Sequence, residues 1–184
     1  MFIFEFNMSE EDLLEEIIPS VLYAMKWPFQ EEDALNLGIA QLQDPEFLTD
    51  IFTKNSKKLD YYKYSITEAV ARTHREANEI LQKLYQWQQN VQQGRTPDLD
   101  QYFSPLHREA GFLHPGFHTD YQAKGHPKEA PWVRIYAVRC EENLYIITGF
   151  GIKLVKQIQE DELLSEELEK LEKARHYLES IGML

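Results

Sequence analysis

The 184 residues are 43 % hydrophobic and 27 % charged, enough for one domain with a substantial core or one domain with a helical extension, and not the composition of a disordered chain. The most apolar run, LYIITGFGI, is far too short to span a bilayer, so a soluble chain with no membrane partner is expected. A formal charge of −12 argues against nonspecific nucleic-acid binding, which needs a basic surface to meet phosphate.

The charge is unevenly spread. Residues 1 to 60 carry 4 Lys/Arg against 13 Asp/Glu, whereas residues 61 to 130 are balanced at 8 each. The final 54 residues carry 7 against 10, with six of those acids between Glu162 and Glu179. A locally basic sheet can therefore exist inside an acidic protein. Cys140 is the only cysteine, which excludes an internal disulfide and a cysteine-based zinc site and fits a reducing, cytoplasmic setting. The first residues have no basic flank, long apolar stretch or small-residue cleavage site, so no secretory signal is expected.

In chain order, MFIFEFN alternates Phe2, Phe4 and Phe6 with Ile3, Glu5 and Asn7, the two-residue period of a half-buried strand. Ser9 and the acids after it predict a helix from there to about Trp27, kinked or divided at Pro19 and ended by Pro28. Gln30 to Leu42 and Pro45 to Thr53 read as shorter helices, the second opened by the Asp44-Pro45 cap, and TKNSKK reads as a loop. From Ser65 onward, Ile66, Val70, Thr73, Ala77, Ile80, Leu84, Trp87 and Val91 step by threes and fours, predicting one long helix that stops at Gly94 and Pro97. Its apolar stripe suits core packing or, less well, a coiled-coil partner, since Thr and Ala make a weak zipper.

Asp100 to Pro131 holds four of the six His and four of the eight Pro, and reads as a long loop with one short strand or helical turn. WVRIYAVRCEENLYIITGFGIKLVKQ, Trp132 to Gln157, follows as two apolar strands around the turn CEEN. Strands apolar on both faces predict a central position with helices covering them. The last helix, about Asp161 to Ile181, turns Leu164, Leu168, Leu171, Leu178 and Ile181 inward and closes at Gly182. The expected fold is α+β: a small antiparallel-rich sheet packed by helices, with a large helical N-terminal part. Residues 1–100 would hold the first strand and the acidic helices, as an insertion or a separate domain, and 101–184 the sheet with its terminal helix.

Basic residues gather around the hairpin. Arg134, Arg139, Lys153 and Lys156 lie on it, and Arg108, Lys124 and Lys128 lead to it. Guanidinium groups clamp phosphate bidentately and ammonium groups act on it as point charges, but Lys and Arg on strands also serve solubility. Of the loop histidines, His118 or His107 could act as general acid or base. Pro115 and Gly116 separate His114 from His118, and no metal-ligand spacing is present, so no metal or cofactor is expected. Cys140 sits beside Glu141 and Glu142, which disfavour its thiolate and give it a structural reading. TGFGIKL lacks the GxGxxG and GK[ST] patterns; Gly149 and Gly151 read as marking a bulge or bend that re-aims Lys153.

FSPL at Phe103 to Leu106, the His- and Gly-bearing loop, the hairpin and a charged terminal helix together resemble the RelE/ParE/HigB-like toxin superfamily, over about Phe103 to Lys173. The form expected of close relatives, roughly TGGAIKLT, differs here at Phe150, Gly151 and Val155. The resemblance implies a RelE-like sheet and a toxin or toxin-derived mRNA endoribonuclease of a toxin-antitoxin system, metal-independent and ribosome-dependent. Arg134 matches the strand arginine of the family hairpin and Lys153 the basic residue after the Gly-containing strand end. His118 would assist proton transfer, and Lys124, Lys128, Arg139 and Lys156 would bind substrate. The implied partners are an antitoxin protein and mRNA on the ribosome. The alternative is a non-catalytic protein-binding module that keeps the fold and uses its acidic helical surface.

Overall fold

The computed structural model describes residues 13–28, 30–107, 113–119, 131–154 and 162–184. Strands β1 (Leu14–Ile18) and β2 (Leu22–Met25) are followed by helices α1 (Ala34–Gln43), α2 (Pro45–Lys54), α3 (Ser56–Tyr62) and α4 (Ile66–Gln92). Then come β3 (Phe103–His107), β4 (Leu113–Thr119), β5 (Val133–Glu141), β6 (Leu144–Ile152) and helix α5 (Glu162–Ser180). The six strands form one mixed sheet in the order β1-β2-β6-β5-β4-β3. β2 runs parallel to β6, and every other pairing is antiparallel. The fold is α+β as expected, with the helices α1–α4 lying in sequence between two strands of one sheet.

Three sequence expectations are corrected. The segment up to Trp27 is a hairpin over its described part, not a helix. Pro19 cannot donate within a helix, and Ser20 takes a left-handed turn at φ 65° with its N–H on Glu16, so the chain reverses there. Val21, Leu22, Ala24 and Met25 are then buried beside β6. Ser56–Lys58, read as loop, opens α3, whose Leu59 is buried. The stretch from 100 to 131 contributes two strands instead of one short element, because its Pro105 sits in the edge strand β3, where a missing N–H costs least. The segment MFIFEFN lies outside the described residues.

The other predicted elements form where their residues direct them. Asp33 and Asp44 cap α1 and α2, each accepting two backbone N–H groups. Ser65 and Glu68 form a reciprocal capping box that starts α4. Along that helix Thr73, Ala77, Ile80 and Trp87 are buried, so its stripe is a core face, not a zipper.

Gly149 and Phe150 are consecutive on β6 and therefore point to opposite sides of the sheet. A side chain built on Gly149 would strike Glu167 of α5, and one built on Gly38 of α1 would strike Phe150. Thus α5 covers one face of the central strands and α1 the other, with α4 packed behind α1. This explains why β5 and β6 are apolar on both faces.

A bulge divides the hairpin. Tyr136 pairs with Gly149 and Ala137 with Ile147, which leaves Thr148 as the extra residue. The indole of Trp27 donates to the Thr148 carbonyl at 2.9 Å, so the bulge ties the end of β2 to β6. Gly149 thus stands next to a bulge, which was one of the two readings of the Gly149 and Gly151 pair.

Candidate functional site

Arg134 pairs with Gly151 across the hairpin, and the Lys153 N–H donates to the Trp132 carbonyl at 2.8 Å just beyond it. On the other side of β5, the backbone of His118 lies opposite Tyr136, two residues from Arg134. Such a diagonal neighbour sits about 7–8 Å away, so three of the residues singled out in the sequence meet at one end of the sheet by register alone. Arg139 is at the other end, beside the β5–β6 turn. Lys124, Lys128 and Lys156 lie outside the described residues.

The Arg134 side chain is 8 % exposed. Its Nη1 donates to the carbonyls of Pro131 at 2.6 Å and Val133 at 3.2 Å, while its buried Nε finds no partner among the described residues. The guanidinium therefore holds the entry to β5 together. Register puts Arg134 on the same face as Tyr136 and Gly149, the face that α5 covers. Lys153 is half-buried.

Arg139 is fixed by Asp100, the residue that follows the long helix and its exit loop. Its Nη2 lies 2.8 Å from the Asp100 carboxylate, which also accepts the Tyr145 hydroxyl at 2.6 Å. Partial burial opposes ionisation of Asp100, but the Tyr145 hydroxyl and the Arg139 guanidinium outweigh it and hold its pKa below the usual aspartate value. Tyr145 is pushed upward by burial and by the bond to Asp100, so the phenol stays protonated. Its ring stacks on Phe103 at 4.5 Å between centroids. Arg139 thus braces the exit of α4 against β5 through its Nη2, and Tyr145 joins β6 to the same carboxylate.

Two acids that the sequence did not single out are buried. Glu76 is 7 % exposed and accepts the N–H groups of Trp132 at 2.8 Å and Val133 at 2.9 Å on one oxygen, and Arg72 Nε at 2.8 Å on the other. The Arg72 guanidinium in turn lies 4.2 Å from the centre of the Trp132 ring, and Phe52, Tyr62 and Tyr64 pack around the same indole. Glu167 is 6 % exposed; its Oε1 accepts Lys170 Nζ, and its Oε2 has no partner among the described residues. Burial pushes its pKa up, and the attraction of Lys170 only partly offsets this. Both acids stand on the apolar stripes of their helices: Glu76 beside Thr73 and Ala77, and Glu167 one turn before Leu171. That spacing was the signal available in the sequence.

Cys140 is half-buried with its thiol pKa pushed up to about 11, by burial first and the neighbouring Glu141 second. It is a poor nucleophile, as expected, with burial the larger cause. Among the described residues no group of three His, Cys, Asp or Glu is arranged to hold a metal, and no helix is long and apolar enough to cross a membrane. An open cleft of about 640 Å³ lies at the turn end of the hairpin, between Ser20, Val91, Arg95 and Asn143, away from Arg134 and Lys153. No protein-family model matches the chain, and no curated protein or solved structure matches it either.

Proposed function

We propose that this chain is a RelE-like toxin or toxin-derived mRNA endoribonuclease whose working end is where β4, β5 and the end of β6 meet. The observation that carries this reading is the register: Arg134, the backbone of His118 and Lys153 gather at one end of a sheet whose two central strands form the hairpin of the resemblance. In such a site the cations would stabilise charge developing on the scissile phosphate, a neighbouring ribose 2′-OH would attack, and the histidine would move the proton. The implied partners are an antitoxin protein and mRNA on the ribosome.

A second reading, a protein-binding module of the same fold with activity lost, is favoured by one specific observation. Arg134 is buried and bonded to backbone carbonyls, so its guanidinium reaches a phosphate only if the covering layer moves.

Induced expression decides between them, read as growth arrest and ribosome-dependent mRNA cleavage. The variants are Lys153→Ala and His118→Ala, beside the Arg134→Ala/Lys153→Ala pair. Arrest that is lost in the single variants supports the endoribonuclease. Absence of arrest and cleavage in a folded wild-type chain supports the binding module.

A further inference from the structure

The unused feature of this fold is the buried carboxylate of Glu167. Helix α5 seats Leu171, Ala174 and Leu178 on the sheet, and the same face delivers an acid into the core. Its Oε2 stands so close over Gly149 that even a Cβ there would come within 1.8 Å. Only Oε1 is hydrogen-bonded among the described residues, to a Lys170 that is itself 36 % exposed. A carboxylate buried in this way loses its hydration without recovering it in hydrogen bonds, whereas the protonated form carries no net charge to desolvate.

Among the described side chains, the groups around it do not remove the imbalance. On α5, Glu166 is adjacent and of like charge, and Lys170, paired with Oε1, offsets the burial only in part. On β5, Tyr136 is opposite Gly149; Arg134 lies on the same face but no ion pair joins it to Glu167, because its Nη1 is turned to the Pro131 and Val133 carbonyls. β4 contributes His118 at the position opposite Tyr136. Farther along α5, Lys173 pairs with Glu169 and Arg175 with Glu172 and Glu179.

We propose that Glu167 is a charge-sensitive latch: α5 stays docked over the Arg134 face while this carboxyl is neutral, and opens from the sheet in a growing fraction of molecules once it is ionised. Opening uncovers Gly149, Tyr136 and Arg134 together, the one buried guanidinium that the hairpin carries. The device does not depend on what the uncovered face binds. Its sign is fixed by the upward shift: docking is strongest below the ordinary glutamate value of 4.5 and weakens as pH rises through the higher value of the docked state.

The test is hydrogen exchange of the α5 amides, corrected for intrinsic rates, from about pH 5 to about pH 8, on the full chain and on the Glu167→Gln and His118→Gln variants. The latch predicts that protection of α5 in the wild type falls with pH, by about tenfold for each unit by which the docked-state pKa exceeds the ordinary one. Glu167→Gln should keep α5 protected and flatten the dependence, with β5 and β6 unchanged; His118→Gln should keep the wild-type slope. A wild-type slope of zero, a slope that survives Glu167→Gln, or one that disappears in His118→Gln would overturn the proposal. Since the readout is the helix itself, a failure here is distinct from absence of RNA cleavage.

Discussion

Glu76 accepts the backbone N–H of Trp132 at 2.8 Å, so the long helix α4 caps the first residues of β5 with a buried carboxylate. The same oxygen takes the Val133 N–H at 2.9 Å, and Arg72 balances the charge. The entry to the hairpin is therefore set by a residue 56 positions earlier in the chain.

Glu76→Leu should destabilise the fold by about 3–5 kcal/mol, because it takes the acceptor from two buried N–H groups and the carboxylate from the buried Arg72 guanidinium. Chemical denaturation followed by Trp fluorescence measures it. Arg72→Met added to Glu76→Leu should recover part of the loss and not all of it, since the two backbone donors remain orphaned. A loss below about 1 kcal/mol in the single variant would mean that water or another group replaces the carboxylate.

Gly149→Ala tests the contact between α5 and the sheet. The added methyl would come 1.8 Å from Glu167 Oε2 and 2.8 Å from its Cδ, so the side chain or the helix must move. We expect a loss of about 1–3 kcal/mol from overpacking. In the Gly149→Ala/Glu167→Ala double variant the methyl has room, so the two effects should be non-additive by more than about 0.5 kcal/mol in a thermodynamic cycle. Simple additivity would place the two residues out of contact.

The helices α2, α4 and α5 and the strands β5 and β6 were legible because each carries its own local instruction: Asp44 before Pro45 as a cap, a 3.6-residue stripe, and the alternation around Glu142 and Asn143, while α1 was placed from Gln30 because the Asp33 cap that starts it at Ala34 was not read. The first hairpin was not. Its Leu14 to Met25 pattern is short enough to fit either period, and β2 owes its strand form to a parallel neighbour, β6, that lies about 120 residues later. The candidate site was legible in part. The position of Arg134 on the hairpin follows from alternation, but its burial depends on α5 folding back over Gly149, which no local pattern encodes. Glu76 and Glu167 were visible as acids on apolar stripes; surrounded by other acids, they resembled part of a solvated face.

Asp100 links α4's exit to the sheet through Arg139 and Tyr145, and its lowered pKa makes that link sensitive to acid. A depressed carboxyl contributes stability above its unfolded value that is lost as pH falls through the folded one. Thermal unfolding should therefore show a loss of stability below the ordinary aspartate value of 3.8 that is smaller in Asp100→Asn, which is less stable at neutral pH to begin with. The pair is about one-third exposed, so high salt should reduce the difference. Identical acid limbs in the two proteins would show that other carboxylates control this range.

Trp27 is the sequence-distant partner of the bulge. Its Nε1 reaches the carbonyl of Thr148 at 2.9 Å, and the Thr148 hydroxyl approaches the carbonyl of Tyr136 at 3.3 Å, so the extra residue of β6 is held from both sides. Trp27→Phe keeps a ring and removes the donor, leaving a buried carbonyl with one partner fewer. The expected cost is about 1–2 kcal/mol, read from the denaturation midpoint at unchanged slope. The local consequence is more specific than the global one. Amide exchange at Ile147 and Gly149 should accelerate while α1 and α4 keep their protection, because the bulge, and not the helical layer, loses its anchor. Uniform acceleration across the chain would instead make Trp27 a general core residue and leave the bulge held by its own strand pairing.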